Sequence, residues 1–355
     1  MQQQGLLAQV GTFCPNKECS QYNQVNAGNI VRYGKNQQGR QRYRCKVCKK
    51  VFNERVGTLF YRKRTAEKDI VESLAMVAEG MGIQAAARVK GIKHDTLSAW
   101  LRQAGGRAQQ LEHVLLQDDH LSATRLTRCG RLYGARRSKG WSDEGGEYWC
   151  CTLIENHTRL RVGRGVGATE GDAAQRLWRY WRWTLGVHQP PPLVSDGWGG
   201  HHDALLEVFG KVGKTQRMPG KDWQYLQVVK VRDDYHRVVG LHPHWVWGKN
   251  RQAHSPLSPQ MAYVERTHLT SRLMNARLNR RSLRFSKRLQ PLISSVFWVD
   301  CVYNLVHPHR SLRQPSPTPE RRWIPRSPAM AAGLTDHLWS IRDVCVCLPI
   351  FINSP

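Results

Sequence analysis

Four cysteines carry the first chemistry in this chain. Cys14-Pro-Asn-Lys-Glu-Cys19 and Cys45-Lys-Val-Cys48 form a C-x4-C and a C-x2-C turn, separated by 25 residues. Each short turn presents two sulfurs on one side of an ion, and two such turns complete the tetrahedral thiolate shell that Zn2+ prefers. Four thiolates leave no position open for a reacting water, so the metal expected at Cys14, Cys19, Cys45 and Cys48 is structural. Residues 30–34 and 41–44 alternate as strands around a Gly-containing turn, which predicts a zinc ribbon. Few long apolar runs stand in residues 11–60, so this unit needs the metal as a staple. Arg32, Lys35, Arg40, Arg42 and Arg44 surround it as expected phosphate contacts.

Carboxylates supply the second chemistry. Asp118 and Asp119 sit in the apolar run 114–121, where polar groups are costly to bury. Pro192-Leu193-Val194-Ser195-Asp196-Gly197 reads as a short buried strand ending in a carboxylate, and Met261-Ala262-Tyr263-Val264-Glu265 opens a long helix. Carboxylates at two strand ends and on one later helix can converge on a pair of Mg2+ ions, a hard cation suited to oxygen ligands. Two such ions support in-line phosphoryl transfer. Arg272 follows Glu265 by two helical turns on the same face. Between Arg266 and Arg288 there are eight Lys or Arg and no Asp or Glu, which predicts DNA contact through Arg272, Arg277, Arg280 and Arg281.

The elements that must position these groups follow from pattern. Residues 66–79, 83–89 and 94–104 read as three helices with Gly91 in the last turn, a helix-turn-helix whose third helix enters a major groove. Lys93, His94, Thr96 and Ser98 would then face DNA. Beyond residue 113, strands at 114–121, 148–154, 158–167, 192–197 and 225–239 alternate with helices at 168–185 and after 261. That order predicts a mixed sheet with helices on its faces. Cys150 and Cys151 are expected to pack on opposite faces of a buried strand, His201 and His202 to be loop or surface residues, and Trp178, Trp181 and Trp183 to be mostly core. Past His307 the chain turns Pro-rich and basic, as an extended tail would.

Composition fixes the partner class. The 355 residues carry 54 Lys plus Arg against 27 Asp plus Glu, a formal net charge of +27, which calls for a polyanion. Residues 1–10 lack the pattern of a signal peptide, and the apolar run 344–352 is short and broken by Pro349. A soluble cytoplasmic protein without a membrane partner is expected.

The motifs together resemble a family. Gln41-Arg42-Tyr43-Arg44-Cys45-Lys46-Val47-Cys48-Lys49-Lys50-Val51-Phe52, Gln117-Asp118-Asp119, Val194-Ser195-Asp196-Gly197 and Val264-Glu265-Arg266-Thr267-His268-Leu269-Thr270-Ser271-Arg272 look like a transposase of the insertion-sequence-one type. In this version the DNA-binding and catalytic parts are fused. The resemblance implies a multidomain chain: a zinc ribbon at 1–62, a helix-turn-helix domain at 63–112, an α/β ribonuclease-H-like catalytic domain at 113–310 and a basic Pro-rich tail at 311–355. It implies a catalytic triad of Asp119, Asp196 and Glu265 holding Mg2+ (or Mn2+), with Asp118 competing for the first position because His120 departs from the family's acidic residue. The implied activity is binding of an element's terminal inverted repeats in double-stranded DNA, then strand cleavage and transfer into target DNA. A homodimer or larger synaptic complex on a prokaryotic nucleoid is implied as well. A non-catalytic DNA-binding regulator derived from such an enzyme and a nuclease or integrase of the same fold are the alternatives.

Overall fold

The computed structural model describes residues 7–8, 11–117, 127–133, 148–248, 262–279, 284, 286–317, 319–320 and 322–349. Its first unit is a three-stranded antiparallel ribbon, β1 (Ile30–Lys35), β2 (Gln41–Cys45) and β3 (Val51–Asn53), in the order β1-β2-β3. Asn36 makes the β1–β2 turn by accepting the backbone N–H groups of Gln38 and Arg40. The buried cluster at the ribbon's knuckles is sulfur: Cys14, Cys19 and Cys45, with only Ile30 and Cys48 packed against them.

Three helices follow: α1 (Glu67–Ala78), α2 (Ile83–Val89) and α3 (His94–Gln117). The third is far longer than its expected end at residue 104. Leu97, Leu101, Ala104, Ala108, Leu111 and Leu115 continue one buried stripe at helical spacing. The glycine pair inside it does not break the helix. A Cβ on Gly105 would lie 2.3 Å from the carbonyl oxygen of Ser294, so glycine here admits the backbone of the crossing helix Leu289–Leu305.

The expected strand at 114–121 is thereby corrected, since 114–117 form the last turn of α3, and an apolar run of that length fits either element. Residue 112, where a boundary between the helical and catalytic parts is expected, falls inside α3. Asp118, Asp119 and His120 lie outside the described residues.

The second half is a six-stranded mixed sheet. Its strands are β4 (Thr127–Tyr133), β5 (Trp149–Glu155), β6 (Arg161–Gly167), β7 (Leu193–Asp196), β8 (Tyr225–Arg232) and β9 (Val238–Trp247), in the spatial order β9-β8-β7-β4-β5-β6. β4, β5 and β6 are joined antiparallel, β7 lies parallel to β4, β8 parallel to β7, and β9 returns antiparallel. Helices α4 (Glu170–Arg179) and α5 (Gly200–Phe209) fill the connections that parallel pairing demands. Thr169 caps α4 by accepting the N–H of Asp172. A single π-helical turn, Tyr180–Thr184, extends α4 and buries Trp181, whose indole N–H donates to the carbonyl of Val162 at 3.1 Å. The same turn carries Trp183 outward to 64% exposure, so Trp178 and Trp181 are core and Trp183 is not.

Helices α6 (Ala262–Met274) and α7 (Leu289–Leu305) complete the core. The stretch Leu289–Leu312 is long and apolar enough by composition to cross a membrane, but 72% of its most apolar window is buried inside the protein. There it packs on α3, and Trp298 donates to the carbonyl of Leu74 in α1 at 3.2 Å. One apolar cluster runs from Leu59 through the three helices to the sheet.

The C-terminal part is not an extended tail. Short helices α8 (Pro328–Ala331) and α9 (Ile341–Val346) fold back onto this core, burying Leu334, Trp339, Val344 and Cys345. Half-buried Arg107 of α3 donates to the carbonyls of Gly57 and Cys347, which fastens that return. The apolar residues among the prolines and arginines make the difference, because each gains by leaving water.

Candidate functional site

The ribbon brings its four cysteines together. Their sulfurs all lie within 4.8 Å of one another, with Cys14–Cys48 at 3.6 Å and Cys19–Cys45 at 4.0 Å. A Zn2+ ion bonded at about 2.3 Å in a tetrahedron separates its sulfurs by about 3.8 Å, so the cluster fits that ion. Asn29, buried, donates its amide to Cys45 Sγ at 3.7 Å. Burial pushes the Cys14 thiol up to about 12. At Cys48 burial acts the same way, but the backbone N–H of Lys50 and the side chain of Asn16 outweigh it and hold the thiol at about 6. A dication would draw the remaining thiols into the ionised state that metal binding needs. Among the described residues this is the one group of three or more His, Cys, Asp or Glu side chains with donor atoms so close.

The ribbon's outer face carries cations around an aromatic ring. The guanidinium of Arg42 stands 5.4 Å from the ring centre of Tyr33, and that of Arg44 at 5.5 Å. Tyr33 is 43% exposed, so the patch offers charge and a flat ring on one surface.

Of the three helices expected at 66–104, α2 stands at its expected bounds, and Gly91 takes φ +63° in the turn before α3. Lys93 and His94 are exposed, whereas Thr96 and Ser98 are half-buried. Lys90 in the same turn is tied to Asp69 and Glu72 of α1, each at 2.7 Å.

Two carboxylates of the expected triad, Asp196 and Glu265, fall among the described residues. Asp196 terminates β7 opposite Val228 of β8. Alternation puts it on the face of Val194, Leu226 and Val228, a small buried cluster, while Ser195 turns the other way to bond Tyr225 Oη at 2.8 Å. Lys230, two residues beyond Val228 on that same face, reaches Glu265 in the first turn of α6 at 2.7 Å. Val264, Thr267, His268 and Ser271 bury the inner side of α6, which leaves Glu265 outward and 58% exposed at its side chain. Arg272 is half-buried on the same helix. The third carboxylate, Asp119, and the cations Arg280 and Arg281 lie outside the described residues. The central strand β4 has the sequence TRCGRLY and so brings no acid of its own.

His201 and His202 point apart. His201, expected at the surface, is fully buried edge-on to Trp198 at 4.9 Å, because α5 turns that side toward the core. His202 lies over Trp247 at 4.9 Å and pairs with Asp203. Cys150 and Cys151 are buried in separate apolar clusters, as opposite faces of a strand require.

Sequence reasoning missed Lys230 and a buried ionic cluster under α3. Arg161 and Arg164 of β6 both pair with Asp300 of α7, Arg161 at 2.5 Å, and all three side chains are buried. The signal was present in the sequence: two arginines in the glycine-spaced RVGRGVG strand, and a lone acid in the apolar run of α7.

Glu112 of α3 lies near this cluster. Burial raises its carboxyl to about 8, against partial relief from Arg164, and Asp300 raises it further. In the unfolded chain the same group sits at 4.5. The folded state therefore holds an extra proton between these values, and its stability from this group is full below pH 4.5 and lost as pH rises toward 8. We expect Glu112→Gln to flatten the fall of Tm across pH 5–8 and to raise Tm at pH 8.5. An unchanged profile would remove Glu112 as the cause.

No protein-family model matches the chain, and no curated protein matches it either.

Proposed function

We propose that the chain is a metal-dependent DNA transposase of the insertion-sequence-one type, with a ribonuclease-H-like catalytic sheet. The single observation that carries this reading is that Asp196 ends β7 beside Val228 of β8, while Lys230, two residues farther along β8 on the same face, pairs with Glu265 of α6. Three antiparallel strands followed by two parallel ones, with helices in the connections, support the fold assignment. The ribbon patch and the helix-turn-helix in a chain of net charge +27 support double-stranded DNA as the partner.

Asp196 and Glu265, with Asp119, would hold Mg2+ or Mn2+, which suit an all-oxygen set. Such ions, when bound, activate the attacking oxygen and stabilise the leaving one. Lys230 holds the Glu265 carboxylate in place, and Arg272 stands on the same helix to orient a phosphodiester. The ribbon and the three-helix unit would seat the element's inverted repeats. Two such ends in one synaptic complex require a homodimer or more.

The test is a Mg2+-dependent cleavage and strand-transfer assay on DNA carrying the element ends. Asp196→Asn and Glu265→Gln are each expected to lower the rate by at least about a hundredfold while DNA binding persists. Equal rates in Glu265→Gln and the unaltered protein would defeat the proposal. One observation favours a second reading, a non-catalytic DNA-binding regulator: the Lys230 ammonium already pairs with Glu265. That reading is upheld if the unaltered protein binds the ends yet neither cleaves nor joins them.

A further inference from the structure

A prominent cleft lies away from the carboxylates. About 680 Å3 of space opens between the three-helix unit and residues 275–277, 284 and 286–288. One wall is the start of α2 and α3, with Gly82, His94, Ser98 and Arg102; the other is Arg277, Arg284, Lys287 and Arg288.

Arg277 makes this cleft chemically definite. It stands in a 3-10 turn, Ala276–Leu278, that Asn275 closes by accepting the N–H of Arg277. Its guanidinium is largely withdrawn from water, and burial alone lowers its affinity for the proton. The one polar partner of that guanidinium among the described residues is Ser286 Oγ at 2.9 Å, a neutral oxygen. No carboxylate of the described residues pairs with it. A desolvated cation without a counter-charge is costly, and an anion bound in the cleft would remove that cost.

The surroundings repeat the sign. α3, 24 residues long, begins at His94 on the cleft wall, so the positive end of its dipole faces the space. Arg102, Arg284, Lys287 and Arg288 add four cations, against Asp95 as the one acid on the walls. The volume is that of a small-ligand cleft. It holds one backbone, not the body of a duplex.

The geometry points to a phosphodiester site: one nucleic-acid strand runs between the reading helix and the side chains of Arg284, Lys287 and Arg288, its phosphate anchored on Arg277. This rests on the nucleic-acid reading above and adds to it. The N-terminal face of α3 is one wall of a clamp whose opposite wall comes from the sheet unit. The Arg277 contact is to the backbone, so this anchor adds affinity and carries no base selectivity of its own. Because α3 is packed on α7, the two walls are set by one core rather than by a hinge.

Fluorescence anisotropy with a short labelled oligothymidylate, titrated at several salt concentrations, tests this on the full-length protein. Arg277→Gln is expected to weaken binding about tenfold or more. The slope of log affinity against log salt should fall by roughly 0.7 for each phosphate that is no longer neutralised. Arg102→Gln with Arg288→Gln, both exposed, should act in the same direction without touching the buried turn, and circular dichroism checks that both variants fold. Tight binding by the unaltered protein that neither variant weakens overturns the clamp but leaves DNA binding standing. No binding of either oligothymidylate or duplex by the unaltered protein overturns the clamp together with the nucleic-acid reading.

Discussion

Removing one ribbon cysteine should unfold the N-terminal unit while the rest of the chain stays folded. The reason lies in what is buried there. At the knuckles the packed cluster consists of Cys14, Cys19 and Cys45 themselves, with Ile30 and Cys48 against it. Elsewhere in the ribbon the main apolar pairing is Tyr43 stacked on Phe52 at 5.8 Å. A hairpin pair this poor in apolar burial does not hold itself together in water. Structural zinc contributes about 10–16 kcal/mol in small zinc-dependent units, far more than the ribbon can otherwise gather. Cys45→Ser removes a fully buried ligand and the acceptor of Asn29 together. We expect the purified protein to carry zinc by elemental analysis, and Cys45→Ser or chelator treatment to remove it. Trypsin should then cut at Arg32, Arg42, Arg44 and Lys46, while the core beyond residue 59 remains protected by its packing on α3 and α7. If the metal-free protein resists trypsin as well as the untreated one, the metal is not what folds the ribbon.

The ribbon was legible because its signal is local and chemical. Spacing alone paired Cys14 and Cys19 with Cys45 and Cys48, and short turns leave such ligands few other arrangements. α2 was equally legible, between a glycine and a glycine turn. The run 114–117 was not, because three consecutive apolar residues satisfy a strand or a buried helix, and only the crossing with α7 at Gly105 decides the matter. His201 was misplaced for a related reason: a polar ring gains burial when a neighbour such as Trp198 covers it, and that neighbour is fixed by tertiary packing. Asp196 and Glu265 were found one at a time by strand end and motif. The pairing of Glu265 with Lys230, two residues past the β8 partner of Asp196, depends on the register of β8 against β7, which no local pattern encodes. The cleft beside Arg277 was invisible for the same cause, since its walls come from residues 82–102 and 275–295.

Asp300→Asn should cost the protein about 3–5 kcal/mol, because it leaves two buried guanidinia without their anion. The substitution keeps the side chain's volume, so the loss is electrostatic rather than steric. Arg161 is held from several sides: Asp300 Oδ1 at 2.5 Å, the Thr267 carbonyl at 3.4 Å, and the Tyr303 ring centre 3.8 Å from its guanidinium carbon. Asn304 adds a reciprocal pair of bonds with the Arg161 backbone at 3.0 and 2.9 Å. Arg164 has Asp300 and the hydroxyl of Thr152. Only one of these partners carries a negative charge. For a chain of this size the loss corresponds to a fall in Tm of about 4–7 °C. The loss should also depend on pH, through Glu112. With Asp300 neutralised, burial still raises the Glu112 carboxyl, but the smaller contribution of the Asp300 charge is gone and Arg164 still lowers it, so Glu112 ionises at lower pH and supplies a replacement anion. Destabilisation by Asp300→Asn is therefore largest near pH 5 and shrinks as pH rises toward 8. The double variant Asp300→Asn, Glu112→Gln cannot make that replacement and should show the full loss throughout. Thermal denaturation of the three proteins across this range decides it: a loss in Asp300→Asn that is constant with pH would mean that Glu112 and the arginine pair do not share charge.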